Sequence, residues 1–170
     1  MLETLDKYYT WLLRGMMGAA ALYMAAIMVS IVYFTTCRGL GIPYSSYSFI
    51  FIEYGFIYVL MLGAPWLVRR RGHVFIEILT ATLPDSFRPA YSRFVAALCV
   101  AICAVLAWYS GEVAWTDYFH NEIDVRGSID TPRWIVTVSL PFGFALMAIE
   151  FARFVVGTEV MHTGEAGVHE

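Results

Sequence analysis

Four long stretches almost free of charge constrain this chain more than any other feature of its sequence. A helix crossing about 30 Å of hydrocarbon needs about 20 mostly apolar residues. Such runs lie at about 15–37, 46–68, 90–115 and 132–156. The first has no charge from Gly15 to Cys37, too long for the apolar core of a signal peptide. The second is interrupted only by Glu53 and stops against Arg69, Arg70 and Arg71. The third is charge-free from Phe94 to Gly111 and extends past the bilayer through Glu112, Trp115 and Tyr118. The fourth opens at Thr131 and Pro132, a cap and a first-turn proline, and carries Pro141, which predicts a kink. Charged residues make up 15% of the chain against about 25% in soluble domains. The expected fold is an all-α integral membrane protein with four transmembrane helices, forming one domain over residues 1–170.

The connecting segments orient the spans, because cytoplasmic loops retain Lys and Arg. The N-terminal segment, the loop between the second and third spans and the tail together hold eight of the eleven basic residues. Arg69, Arg70 and Arg71 are the densest part of this topology signal. Both termini are therefore expected in the cytoplasm. The basic residues are otherwise dispersed, so nucleic acid is excluded as a partner and membrane lipid takes its place. In the basic loop, residues 73–83 are too short to span. As a helix they would set His73 and Glu77 on one side and Phe75, Ile78 and Leu79 on the other, an amphipathic helix in the cytoplasmic interface.

Polar groups at membrane depth are few. Small residues in the first run, among them Gly18, Ala19, Ala20, Ala21, Ala25 and Ala26, let another helix approach closely. Glu53 is the one carboxylate placed inside a span, roughly 10 Å deep at 1.5 Å per residue. It reads as an anchor to another membrane subunit or as an ion or proton site, against the plainer reading that it reaches interfacial water. His73 and Glu77 read either as a pH-sensitive pair or as a solvated polar face. Glu112, Asp117, Glu122, Asp124 and Asp130 form an acidic outer segment, either a docking surface for a basic partner or an ordinary solvated loop. Glu150 and Arg153, three apart, are expected to pair and reach for the interface. His73, His120, His162 and His169 all fall outside the spans, which argues against a haem held by two histidines. Cys99 and Cys103 are four apart, without the spacing of a redox pair, and read as packing residues. No nucleophile, metalloprotease, P-loop or dinucleotide motif occurs, so an enzyme is not expected and neither is a metal or cofactor.

Two motifs carry a family resemblance. Arg71-Gly72-His73-Val74-Phe75-Ile76-Glu77-Ile78-Leu79, followed by Leu83-Pro84, resembles a Gly-His-Val-x-Val-Asp-x-Leu pattern with a downstream Leu-Pro, with Glu77 standing where Asp is commoner. Thr131-Pro132-Arg133-Trp134, leading to Leu140-Pro141-Phe142-Gly143-Phe144, resembles that family's opening of the last helix and its Pro-x-Gly. The family is the small membrane subunit, or Q subunit, of tripartite ATP-independent periplasmic (TRAP) transporters. The resemblance implies a scaffold in the bacterial inner membrane, assembled with a large membrane subunit that holds the substrate and sodium sites. It also implies a periplasmic binding protein delivering an organic acid. Glu53, His73, Glu77 and Ile78 would then contact the large subunit, and the acidic segment would lie where the binding protein docks. The competing expectation is a membrane anchor subunit of a respiratory or redox complex.

Overall fold

The computed structural model describes residues 2–44, 47–70, 87–126 and 129–157. The elements are α1 (Leu2–Gly39), α2 (Tyr47–Arg69), α3 (Arg88–Phe119), β1 (Ile123–Arg126), β2 (Ile129–Pro132), α4 (Trp134–Thr137) and α5 (Ser139–Val156). Among the described residues, four helices are long and apolar enough to cross a membrane, α4 and α5 together forming the fourth. The expected interfacial helix at 73–83, with His73, Glu77 and Ile78, lies outside the described residues.

Helix lengths follow from their stops. At 1.5 Å per residue, the 38 residues of α1 reach about 57 Å and the 32 residues of α3 about 48 Å, both longer than the hydrocarbon layer. The two end in the same way. Gly41 (φ 68°) lets the Ile42 N–H donate to the Cys37 carbonyl at 2.9 Å after α1. Asn121 (φ 49°) lets the Glu122 N–H donate to the Asp117 carbonyl at 3.0 Å after α3. Left-handed backbone suits glycine and is tolerated by asparagine, and these bonds satisfy carbonyls that the helix leaves open.

Between α3 and the last span the chain forms an antiparallel hairpin, with Ile123 opposite Pro132 and Arg126 opposite Ile129. This corrects the expected start of the fourth helix. Thr131 and Pro132 belong to β2, and the helix begins at Trp134 with Arg133 at its cap position and no side-chain cap bond. Pro132 occupies the last position of its strand, where a missing N–H is tolerated. The helix is interrupted for one residue at Val138, between α4 and α5, where the backbone stays in the helical region (φ −63°, ψ −27°). Pro141 accounts for it, since a proline ring clashes with the carbonyl four residues earlier, here that of Thr137.

The helices stand in a row rather than a closed bundle. α1 packs on α2, α2 on α5, and α5 on α3. α2 sits between neighbours because both of its faces carry the means to pack. Tyr54, Tyr58, Met61, Pro65 and Val68 recur at helical spacing toward the hairpin and α5. On the α1 side, Tyr23 and Phe51 meet edge to face with ring centroids 4.8 Å apart, and Gly63 lies against Met17 and Ala20. Gly143 of α5 is buried where a Cβ would come within 2.8 Å of the Met61 Cβ and 3.1 Å of its Cα, so only glycine permits this approach. A core of Val68, Ala96, Cys103, Phe151 and Phe154 fills the space among α2, α3 and α5. The inner helices bury 33% of their apolar windows within the chain, the outer helices α1 and α3 only 11%. Of the expected small-residue face on α1, Ala20 is buried and Ala26 half-buried, whereas Gly18, Ala19, Ala21 and Ala25 face outward.

Candidate functional site

Two charge clusters, one at each end of the row, organise the polar chemistry of the chain. At the arginine end, Glu150 of α5 has no exposed surface. Its Oε1 accepts a hydrogen bond from Arg69 Nη1 at 3.2 Å and its Oε2 one from Arg153 Nη1 at 3.0 Å. Arg69, the last residue of α2, also donates through Nη2 to Asp6 Oδ1 at 2.8 Å and to Thr10 Oγ1 at 2.6 Å, both on α1. Its guanidinium lies 5.5 Å from the centre of the Tyr9 ring. The Tyr9 hydroxyl is buried in the same corner with no hydrogen-bond partner among the described residues. Two carboxylates and two guanidinium groups thus form a neutral set that ties α1, α2 and α5 together. Burying an ion without a partner costs several kcal/mol, and in a membrane water cannot substitute for the partner.

At the hairpin end, Asp117 of α3 is also fully buried. Its Oδ1 accepts from Arg133 Nη2 at 2.5 Å and its Oδ2 from Thr137 Oγ1 at 3.0 Å. Hydrogen bonding to Asp117 and its charge push the Arg133 guanidinium above its ordinary pKa, keeping it protonated. The Arg133 N–H donates to the Glu122 carbonyl at 2.9 Å. Tyr54 of α2 donates to Asp124 Oδ2 in β1 at 2.8 Å, and the Tyr58 hydroxyl donates to the Ile135 carbonyl of α4. The hairpin is thereby fastened to the side of α2 and the end of α3.

The residues singled out from sequence divide accordingly. Arg69 is a structural tie as well as part of the basic cluster. Arg70 is exposed, and Arg71 lies outside the described residues. Glu150 pairs with Arg153 as expected, but it is sealed inside the protein instead of reaching the interface. Of the acidic segment, Glu112, Glu122 and Asp130 are exposed, Asp124 is half-buried and Asp117 is buried. Asp117 therefore presents no charge for docking. Glu53 is exposed on α2 within the candidate span, so it faces the surroundings of this chain rather than its interior. Sequence reasoning did not foresee the partnership of Arg69 with Glu150, 81 residues apart, or that of Asp117 with Arg133 and Thr137. A lone acid between apolar neighbours at 150, facing another run that ends in arginine, was the available signal.

Comparison with known proteins adds the following. The family model for the DctQ component of tripartite ATP-independent periplasmic transporters matches residues 27–159. The sialic acid TRAP transporter permease protein SiaT of Haemophilus influenzae (strain 86-028NP) is 36% identical over 96 residues, covering 56% of this chain. The chain spans 15% of the length of that relative. No solved structure matches the chain.

Proposed function

Because the chain belongs to the DctQ component family of TRAP transporters, a family of transport components rather than enzymes, we propose that it is the static scaffold of such a transporter. It would hold a large membrane subunit that carries out sodium-coupled uptake of an organic acid supplied by a periplasmic binding protein. One observation carries this reading. Among the described residues, the fully buried charges sit at the two ends of the row in satisfied sets, while the outer helices turn mostly unburied apolar faces outward. Closed ion pairs brace helices against one another; an alternating transport path needs polar groups open to a ligand. The exposed apolar residues of α1 and α3, whose candidate spans run 34 and 31 residues, suit a protein or lipid neighbour at membrane depth.

The distribution of Lys and Arg supports the bacterial inner membrane with the arginine end in the cytoplasm. The exposed Glu112, Glu122 and Asp130 then face the periplasm, toward the binding protein. Glu53 contacts the large subunit, as do His73, Glu77 and Ile78 of the basic loop. The coupling sodium belongs to the large subunit.

Affinity purification of the tagged chain from its native membrane in mild detergent, followed by mass spectrometry, tests the proposal. A stoichiometric, larger and very hydrophobic subunit is the expected companion. A haem or iron–sulfur protein in its place would overturn the scaffold reading. In the same preparation Glu53→Ala is expected to lower the yield of the companion severalfold, and an unchanged yield removes Glu53 from the interface.

A further inference from the structure

At the arginine end, two cations stand apart from the neutral set. The Arg14 guanidinium of α1 lies 5.7 Å from the centre of the Trp66 ring, and that of Arg70, just past α2, lies 5.4 Å from the same centre. Both arginines are exposed and Trp66 is half-buried. Asp6 and Glu150 are committed to Arg69 and Arg153, so among the described residues neither Arg14 nor Arg70 has a carboxylate partner. Positive charge that would otherwise repel is thus gathered around one indole at the point where an apolar span ends. The surroundings are those of a membrane boundary. Trp11, one turn before Arg14, is 65% exposed, as is Leu12 at 55%, and beyond Arg14 a Cβ added at Gly15 or Gly18 would meet nothing within 4 Å.

We infer that Arg14, Trp66 and Arg70 form a binding site for the headgroup of an anionic phospholipid. Guanidinium groups have planar, multiply donating edges, which suit phosphate oxygens better than an ammonium would. The indole holds both cations in place through its ring face. The open surface at Gly15 and Gly18 leaves room for an acyl chain along α1 below the headgroup. Basic residues at the membrane surface attract anionic lipid by about fivefold per residue, so two together give at most about thirtyfold. The site is independent of the transporter's substrate and of which partner covers the rest of α1.

The test is quenching of intrinsic tryptophan fluorescence in the purified full-length chain in mixed micelles, with phosphatidylglycerol brominated on its acyl chains against equally brominated phosphatidylcholine. Phosphatidylglycerol should quench at about tenfold lower mole fraction. The difference should shrink in W66F, fall stepwise in R14Q and R70Q measured singly, and vanish in R14Q/R70Q. R14K/R70K should recover part of it, because charge returns without the planar edge. Equal quenching by the two lipids, or an undiminished difference in R14Q/R70Q, overturns the inference. So does loss of the difference on adding millimolar inorganic phosphate, since the pair would then serve a soluble anion.

Discussion

The two ends of the helix row solve one problem, a fully buried carboxylate, with different means. At the arginine end Glu150 meets two guanidinium groups, and one of these, Arg69, is only 11% exposed and extends to Asp6 and Thr10 on a third helix. At the hairpin end Asp117 meets one arginine that is 49% exposed and a threonine hydroxyl, both from the segment that follows the hairpin. The first arrangement ties distant parts of the chain and closes Glu150 and most of Arg69 away from water, while Asp6 and Arg153 stay partly open to it. The second is shorter in sequence, and half of its cation is already in solvent. Equal burial of an acid therefore does not mean equal dependence on its partners, and substitution at each end should separate the two.

The largest effect is expected from Glu150→Ala. It leaves Arg69 and Arg153 to share Asp6, at 2.8 Å and 4.0 Å, and breaking a buried pair on one side costs about 3–5 kcal/mol. Thermal unfolding in detergent should fall by many degrees, and a change of only one or two degrees would mean that the arginines find water. Replacing the pair together, as in Glu150→Leu with Arg69→Met, should recover part of the loss, because well-packed apolar side chains of similar volume often substitute for a buried ion pair.

Between the two extremes stands Gly143→Ala, which probes the seam that holds the ends in register. The added Cβ would meet Met61 backbone and side chain, so α2 and α5 must move apart at a cost of about 1–3 kcal/mol. Gly18→Ala, with nothing within 4 Å, is its control and should leave the melting temperature unchanged. Asp117→Asn should cost about 1–2 kcal/mol, since the amide keeps a bond to Thr137 while Arg133 turns to water. A loss as large as that of Glu150→Ala would show that the hairpin end is as closed as the other. Smallest of all, Glu112→Gln and Glu122→Gln lie on exposed positions and should leave stability within about 0.5 kcal/mol. Any effect of theirs should be confined to transport with the binding protein present.

How much of this the sequence discloses depends on the kind of information involved. Span number and length are one-dimensional, so four apolar runs led directly to four helices, and the i,i+3 spacing of Glu150 and Arg153 led to their pairing. Pro141 disclosed the interruption at Val138 for the same local reason. The hairpin was missed because Thr131 and Pro132 fit a helix start as well as a strand end, and pairing with Ile123 and Asp124 is a tertiary fact. Asp117 reads from sequence as one of its acidic neighbours, on a docking surface or in a solvated loop, since its burial depends on Arg133 and Thr137 folding back over it. Arg69 looked like one of three equivalent arginines, and nothing local separates the one that turns inward from Arg70, which lies over Trp66.

The chain order of the partners of Arg69 has a consequence for synthesis. Asp6 and Thr10 precede Arg69, so its partners on α1 are already made when α2 is complete. Glu150 is produced 81 residues later and joins a cation that is already oriented, bringing Arg153 with it. The late carboxylate arrives with its own counter-charge three residues away, so each part of the set is made together with a partner.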